Sequence, residues 1–256
     1  MGDAALSVSK QVRACFILDS DDYINFAQAS VEAGKFEEAL RYCDLAVDCG
    51  PGNAAAYDLR SRVWLKLGQD RKAIEDLTAA ISLSPQDASL LSERAQVRSK
   101  LRDFRGALDD YNLAVQLNPF GADLYAERAW ARWDLSRDAS HAIDDFSEAI
   151  RFDKSIDNVK MYLLFRGDMR FYLEDYSGAI ADYNAAVWLD PYFYSGFYRE
   201  RAVVKMHIGD VGGAWMDYSM SWVLAGKENL ETELSPLQDW VRRIIEGIDV
   251  FRRHRI

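Results

Sequence analysis

Histidine is scarce in this chain, with His141, His207 and His254 the only three in 256 residues. They are far apart and no HExxH run is present, so a histidine-built metal centre is not expected. Cysteine is equally scarce: Cys15, Cys43 and Cys49 have no CxxC spacing. A small, odd set reads as buried hydrophobes in a reducing compartment. A Gly-rich phosphate loop and a GxSxG nucleophile turn are missing too, so no cofactor is expected and the chain reads as not an enzyme. No apolar run approaches the ~18 residues of a membrane span. The start, Met1 to Leu6, lacks the basic and apolar regions of a secretory signal, and Leu6 stands where a myristoylation motif needs Ser or Thr. These absences set the expectation of a cytoplasmic protein with no membrane partner. Basic residues are outnumbered, 31 Lys and Arg against 41 Asp and Glu, for a net charge of −10. Nucleic acid is therefore not expected as a ligand, because phosphate binding needs clustered Lys and Arg. Basic or neutral partners are favoured.

Proline is rare as well, and its rarity is patterned. Pro51, Pro85, Pro119 and Pro191 each follow an apolar stretch with helical spacing. Proline cannot continue a helix, so each marks a hand-over. The stretch from Asp175 to Pro191 shows the unit most clearly: Ile180, Tyr183, Val187 and Trp188 recur at helical spacing, with Ala179 and Ala186 on the same broad face. Alanine recurs at Ala39, Ala73, Ala107, Ala142, Ala179 and Ala214, at intervals of 34, 34, 35, 37 and 35. Seven residues after each comes another small residue: Ala46, Ala80, Ala114, Ala149, Ala186 and Ser221. The chain is an internal array, and 49% apolar residues are enough to fill a continuous core.

A period near 34 with two helices per unit resembles the tetratricopeptide repeat. The resemblance spans residues 20 to 228. It implies an all-α fold, a right-handed α-α superhelix of about six helix-turn-helix repeats at 20–53, 54–87, 88–121, 122–156, 160–193 and 195–228. Residues 1–19 are read as an N-terminal helical cap or degenerate half-repeat. Residues 235–256 are read as an amphipathic capping helix with a basic end, because Leu237, Trp240, Val241, Ile244, Ile245, Ile248 and Phe251 follow Ser235-Pro236 at helical spacing. The family's small eighth residue of the first helix is Ala27, Ser61, Ala95, Ala129, Gly167 and Ala202. Glycine at the turn is present as Gly34, Gly68 and Gly209, but Arg102, Ser136 and Glu174 stand at the other three turns. An extra residue around Asp138–His141 and about three more near Asp157–Val159 are expected to lengthen a helix or loop between the fourth and fifth units.

Arg60, Arg94, Arg128, Arg166 and Arg201 share the seventh position of the first helix. The same five units carry Asp76, Asp110, Asp145, Asp182 and Asp217 late in the second. The first unit has Phe26 and Tyr42 instead, lacking both partners together. Joint absence within one chain predicts that arginine and aspartate pair within each unit, holding register rather than binding phosphate.

The resemblance further implies that first helices line a groove for a peptide or a partner's helix. At the groove positions the first three units are polar and of mixed charge. The later ones give Trp130 and Trp133, then Met161, Leu164, Asp168, Phe171 and Tyr172, then Arg199, Met206 and His207. Large aromatics and methionine are what binding hot spots use. The family's clamp for C-terminal carboxylates is not kept, because its lysine, asparagine and arginine positions hold Ile24, Gln28, Leu59, Ser89 and Glu93. The expected function is a scaffold or adaptor binding another protein or peptide; the alternative is a self-associating homo-oligomer.

Overall fold

The computed structural model describes residues 18–192 and 195–225. The C-terminal helix expected at 235–256 lies outside them, as does the N-terminal cap apart from Leu18 and Asp19. Every element among the described residues is an α-helix: α1 (Ser20–Glu32), α2 (Phe36–Cys49), α3 (Ala54–Lys66), α4 (Asp70–Leu83), α5 (Ala88–Lys100), α6 (Phe104–Leu117), α7 (Ala122–Ser136), α8 (Ala139–Phe152), α9 (Ile156–Tyr172), α10 (Tyr176–Leu189), α11 (Ser195–His207) and α12 (Val211–Leu224). None is long and apolar enough to cross a membrane. At the junction before the fifth pair, where a longer helix or loop was expected, residues 157–159 lie in the helix, so α9 starts at Ile156 and runs 17 residues.

Side-chain carboxyls and amides start the helices. Asp19 and Asp22 cap one another at the head of α1, each carboxyl accepting the other's backbone N–H at 2.9 and 3.0 Å. Asn53 and Asp87 cap α3 and α5, while Asp103, Asp138, Asp175 and Asp210 cap α6, α8, α10 and α12. Each satisfies an N–H that the helix itself leaves orphaned. Most turns within a pair close by a backbone bond that steps back five residues, as from Lys35 N–H to the Ser30 carbonyl at 2.8 Å, with one residue left-handed. That residue is Gly34, Gly68 or Gly209 where glycine is present, and Arg102 (φ 66°) or Glu174 (φ 61°) where it is not. In the fourth pair it is Arg137, not Ser136. There α7 has 15 residues, and the turn closes from Arg137 N–H to the Trp133 carbonyl.

The chain forms two compact units, divided in sequence between Tyr162 and Leu163 inside α9. In the first, α1/α2, α3/α4, α5/α6 and α7/α8 are antiparallel pairs, and α2, α4 and α6 also pack on the next first helix. The alanines at 39, 73, 107 and 142, and those at 46, 80, 114 and 149, are fully buried. They let helices approach closely, while Cys43, Leu77, Tyr111 and Phe146 fill the space between them. In the second unit α10 and α12 both pack on α11, around Ala179, Ala186, Ala202 and Ala214.

Cys43 is a free thiol, and burial, with the Asp44 charge beside it, pushes it up to about 12. It is the inert packing residue the sequence suggested. Cys49 is disulfide-bonded, which departs from the expectation of unpaired cysteines and removes cysteine usage as a sign of a reducing compartment.

Candidate partner-binding faces

The expected ion pairs are present in both units, and they fix what the remaining side chains can do. Arg60, Arg94 and Arg128 each grip Asp76, Asp110 and Asp145 through two nitrogens, at 2.6–3.0 Å. Arg166 and Arg201 hold Asp182 and Asp217 in the same way, at 2.5–3.0 Å. The aspartates sit seventh in helices of 14 residues, mid-helix rather than late. A second cation was not foreseen: Arg98, Arg132, Arg170 and Lys205 reach the same carboxylates at 2.7–2.8 Å. The remaining Nη1 of several arginines turns to the preceding pair, to Asp44 at 3.0 Å from Arg60 and to Asn184 at 2.7 Å from Arg201. These arginines are therefore committed to the scaffold. In the first pair Phe26 and Tyr42 replace the lock, with ring centroids 5.6 Å apart.

In the first unit, Trp130 and Trp133 are half-buried on α7. Trp130 sets its ring edge-on to Phe146 of its own pair, centroids 5.7 Å apart, so much of that indole serves packing. Trp133 lies beneath the Arg137 guanidinium at 4.7 Å, and Met161 is half-buried. Sequence reasoning missed the carboxyls nearby. Tyr111 Oη donates to Glu127 at 3.3 Å; burial pushes the Glu127 carboxyl up and the tyrosine bond partly reverses this. Tyr162 is pushed up to about 12 by burial and by Asp153. On α5, burial followed by the Asp58 charge raises Glu93 to about 7. A proton on Glu93 lets the two carboxyls share a hydrogen bond, which explains why Asp58 Oδ1 is buried with no other donor among the described residues. The available signal was glutamate at the sixth position of α5, α7 and α11 (Glu93, Glu127, Glu200).

In the second unit three rings from three elements converge. Phe171 of α9 lies 4.9 Å from His207 of α11 and 5.9 Å from Tyr176 of α10, and Tyr176 and His207 are 6.0 Å apart. His207 Nδ1 is 3.0 Å from the Val203 carbonyl. Tyr172, beside Phe171, is 56% exposed. One turn earlier Asp168 is half-buried and accepts from Tyr183 Oη at 2.8 Å. Burial raises the Asp168 carboxyl to about 6; Tyr183 and Arg199 oppose the shift and Glu200 adds to it. Gly167 makes this possible, since a Cβ there would stand 2.6 Å from the Tyr183 ring. Arg199 is exposed and held by Glu200 at 2.9 and 3.1 Å. Leu164 and Met206, expected on a groove wall, are buried at 5% and 8% exposure. Met206 packs with Ala202 and Ala214, so both side chains belong to the interior.

A stack of antiparallel helix pairs with this period defines an α-helical repeat protein. Residues 54–87, which hold α3 and α4, match the family model for the tetratricopeptide repeat. No curated protein matches the chain. Among solved structures, pilF of Pseudomonas aeruginosa is similar at 16% identity and TM-score 0.66, over 86% of this chain and 97% of that one. The C-terminal part of a TPR repeat-containing protein from Cytophaga hutchinsonii gives TM-score 0.68 at 16% identity, covering 79% of each chain. YrrB, described as a TPR protein with an unusual peptide-binding site, gives 0.60 at 19% identity, over 81% and 97%. At such identities the likeness concerns the fold alone. Together with the family match over residues 54–87, it shows that the chain has the fold of tetratricopeptide-repeat proteins.

Proposed function

We propose that the chain is a protein-interaction scaffold, and that the first helices of the second unit take a peptide or a partner's helix. The observation that carries this is the ring cluster Phe171–Tyr176–His207 beside exposed Tyr172 and half-buried Asp168. Rings held by one another lose little freedom when a partner docks, which is how aromatic hot spots gain affinity. Asp168 and Glu200 offer two carboxyls, and Arg199 already engages Glu200. A partner segment with an apolar anchor and a neighbouring Lys or Arg suits that chemistry. A cation beside Asp168 would favour its ionised form, so capture strengthens as pH rises through about 6. The peptide site described for YrrB supports the reading, because it lies on a chain of the same fold. In the first unit Trp133 is the corresponding candidate, with Trp130 on the same helix and Met161 in the first half of α9.

The test is selection of a random peptide library on the full chain, followed by titration of the best peptide. Tyr172→Glu is expected to weaken capture by about tenfold or more with unchanged helicity. A folded Tyr172→Glu protein that keeps wild-type affinity for the selected peptides would overturn this site.

A further inference from the structure

All six second helices have 14 residues, so their positions compare directly. The sixth and thirteenth residues lie two turns apart on one face, and every one of them is exposed. In the first unit the sixth residue is Arg41, Glu75, Asp109 or Asp144. The thirteenth is Asp48, Ser82, Gln116 or Arg151. In the second unit these positions hold Ala181 with Trp188, and Met216 with Val223. Trp188 is 82% exposed, and Met216 and Val223 are 73% exposed each. Tyr192, just past α10, is also 73% exposed. The only charged residue in α10 is Asp182 and in α12 Asp217, both buried in their locks. A helix that is apolar on all sides is normally covered on all sides.

We propose that the outer face of α10 and α12 is a homodimer interface, covered by the same face of a second copy of this chain. Charge argues for a copy. At a net charge of −10 two chains repel each other, and the outer faces of α2, α4, α6 and α8 each carry at least one charged side chain at these positions. The outer face of α10 and α12 carries no charge, so two copies can close on it without like-charge contact. The same count argues against an anionic membrane surface, which would call for Lys and Arg there. The exposed parts of Trp188, Tyr192, Met216 and Val223 amount to roughly 500–600 Å² per copy, and twice that clears the ~1,000 Å² that a specific dimer needs. A two-fold contact of one patch with itself is the usual symmetry of such dimers. This face uses none of the cluster residues Phe171, Tyr176 and His207, so peptide capture and dimerisation can fail independently.

The test is sedimentation equilibrium of the full chain from low to several hundred micromolar. Wild type is expected to pass from monomer to dimer across the series. Trp188→Glu with Met216→Glu should raise the dissociation constant by about 100-fold with helicity unchanged. Should that variant lose helicity, Met216→Ser with Val223→Ser adds no charge and is expected to raise the constant by about tenfold. A wild-type chain that stays monomeric throughout overturns the proposal. So does a dimer whose constant the folded variant leaves unchanged. A protein that dimerises when ended at Ala225 but stays monomeric at full length also overturns it, because the face is then covered by residues 226–256 of the same chain.

Discussion

Tyr111 in the first unit and Tyr183 in the second stand at the same place, the eighth residue of a second helix, yet their hydroxyls find different partners. Tyr111 reaches forward to Glu127 on the next pair, at 3.3 Å. Tyr183 reaches back to Asp168 on its own pair, at 2.8 Å. The first helix of each pair decides. The third pair has Ala95 and Gln96 where the fifth has Gly167 and Asp168. Without a Cβ at Gly167 the Tyr183 ring settles against α9, and the carboxyl one residue on receives its hydroxyl. One hairpin design thus serves as a bond between neighbours in one unit and as an internal brace in the other. What the units share is the lock of one aspartate with two cations, and what they differ in is how the carboxyls around it are used.

The largest expected effect tests the shared part. Asp145→Ala and Asp182→Ala each remove a buried carboxylate shared by two cations and are expected to cost about 3–5 kcal/mol in chemical denaturation. Asp76→Ala strands only Arg60, which keeps Asp44, and should cost distinctly less. Equal losses at all three sites would show that the second cation adds nothing.

The next effect separates the units by pH. Folded Asp168, at about 6, holds its proton more tightly than the unfolded chain does. Its contribution is therefore complete below about pH 4 and is lost as pH rises through 6. Asp168→Asn keeps an acceptor for Tyr183 and is expected to be more stable than wild type at pH 8 by about 1–2 kcal/mol, allowing for partial exposure. The gain should vanish near pH 4. Glu93→Gln in the first unit should show the same sign with the window ending near pH 7. Identical pH profiles for both variants would erase the distinction.

The smallest effect concerns the left-handed turns. Glu174→Gly removes the strain of a side chain at φ 61° and is expected to gain about 0.5–1 kcal/mol. Arg137→Gly relieves similar strain but gives up the guanidinium over Trp133, so its gain should be nearer zero. A larger gain at Arg137 than at Glu174 would show that the ring contact contributes nothing.

The repeat, the pairing of arginine with aspartate and the small-residue frame were legible in the sequence, because each recurs at the period that burial imposes. The lock was visible through its joint absence at Phe26 and Tyr42. Its second cation was not, since Arg98 or Arg132 taken alone reads as a solvated helix face. The fourth turn was misplaced by one residue, because an inserted residue is absorbed wherever the backbone yields, here at Arg137. Leu164 and Met206 were placed on a groove wall by family register. Register gives the direction of a side chain but not the depth of the packing around it. Tyrosine–carboxyl bonds were hidden for the same reason, as they depend on a missing Cβ at Gly167 and on elements close in space only.

The lock has a consequence for how the chain folds. Five arginines and five aspartates of one geometry are chemically interchangeable, so Arg60 could close on Asp110 as readily as on Asp76 once the two met. The native partner lies 16 positions away and the next one 50. That threefold longer loop costs roughly 1 kcal/mol more to close, a bias of about fivefold in favour of the nearer aspartate. Loop length scarcely separates the native pair from Arg94 with Asp76, 18 positions apart. There the order in which helices emerge during synthesis favours correct assembly, and rapid refolding from denaturant is where mispaired hairpins should accumulate.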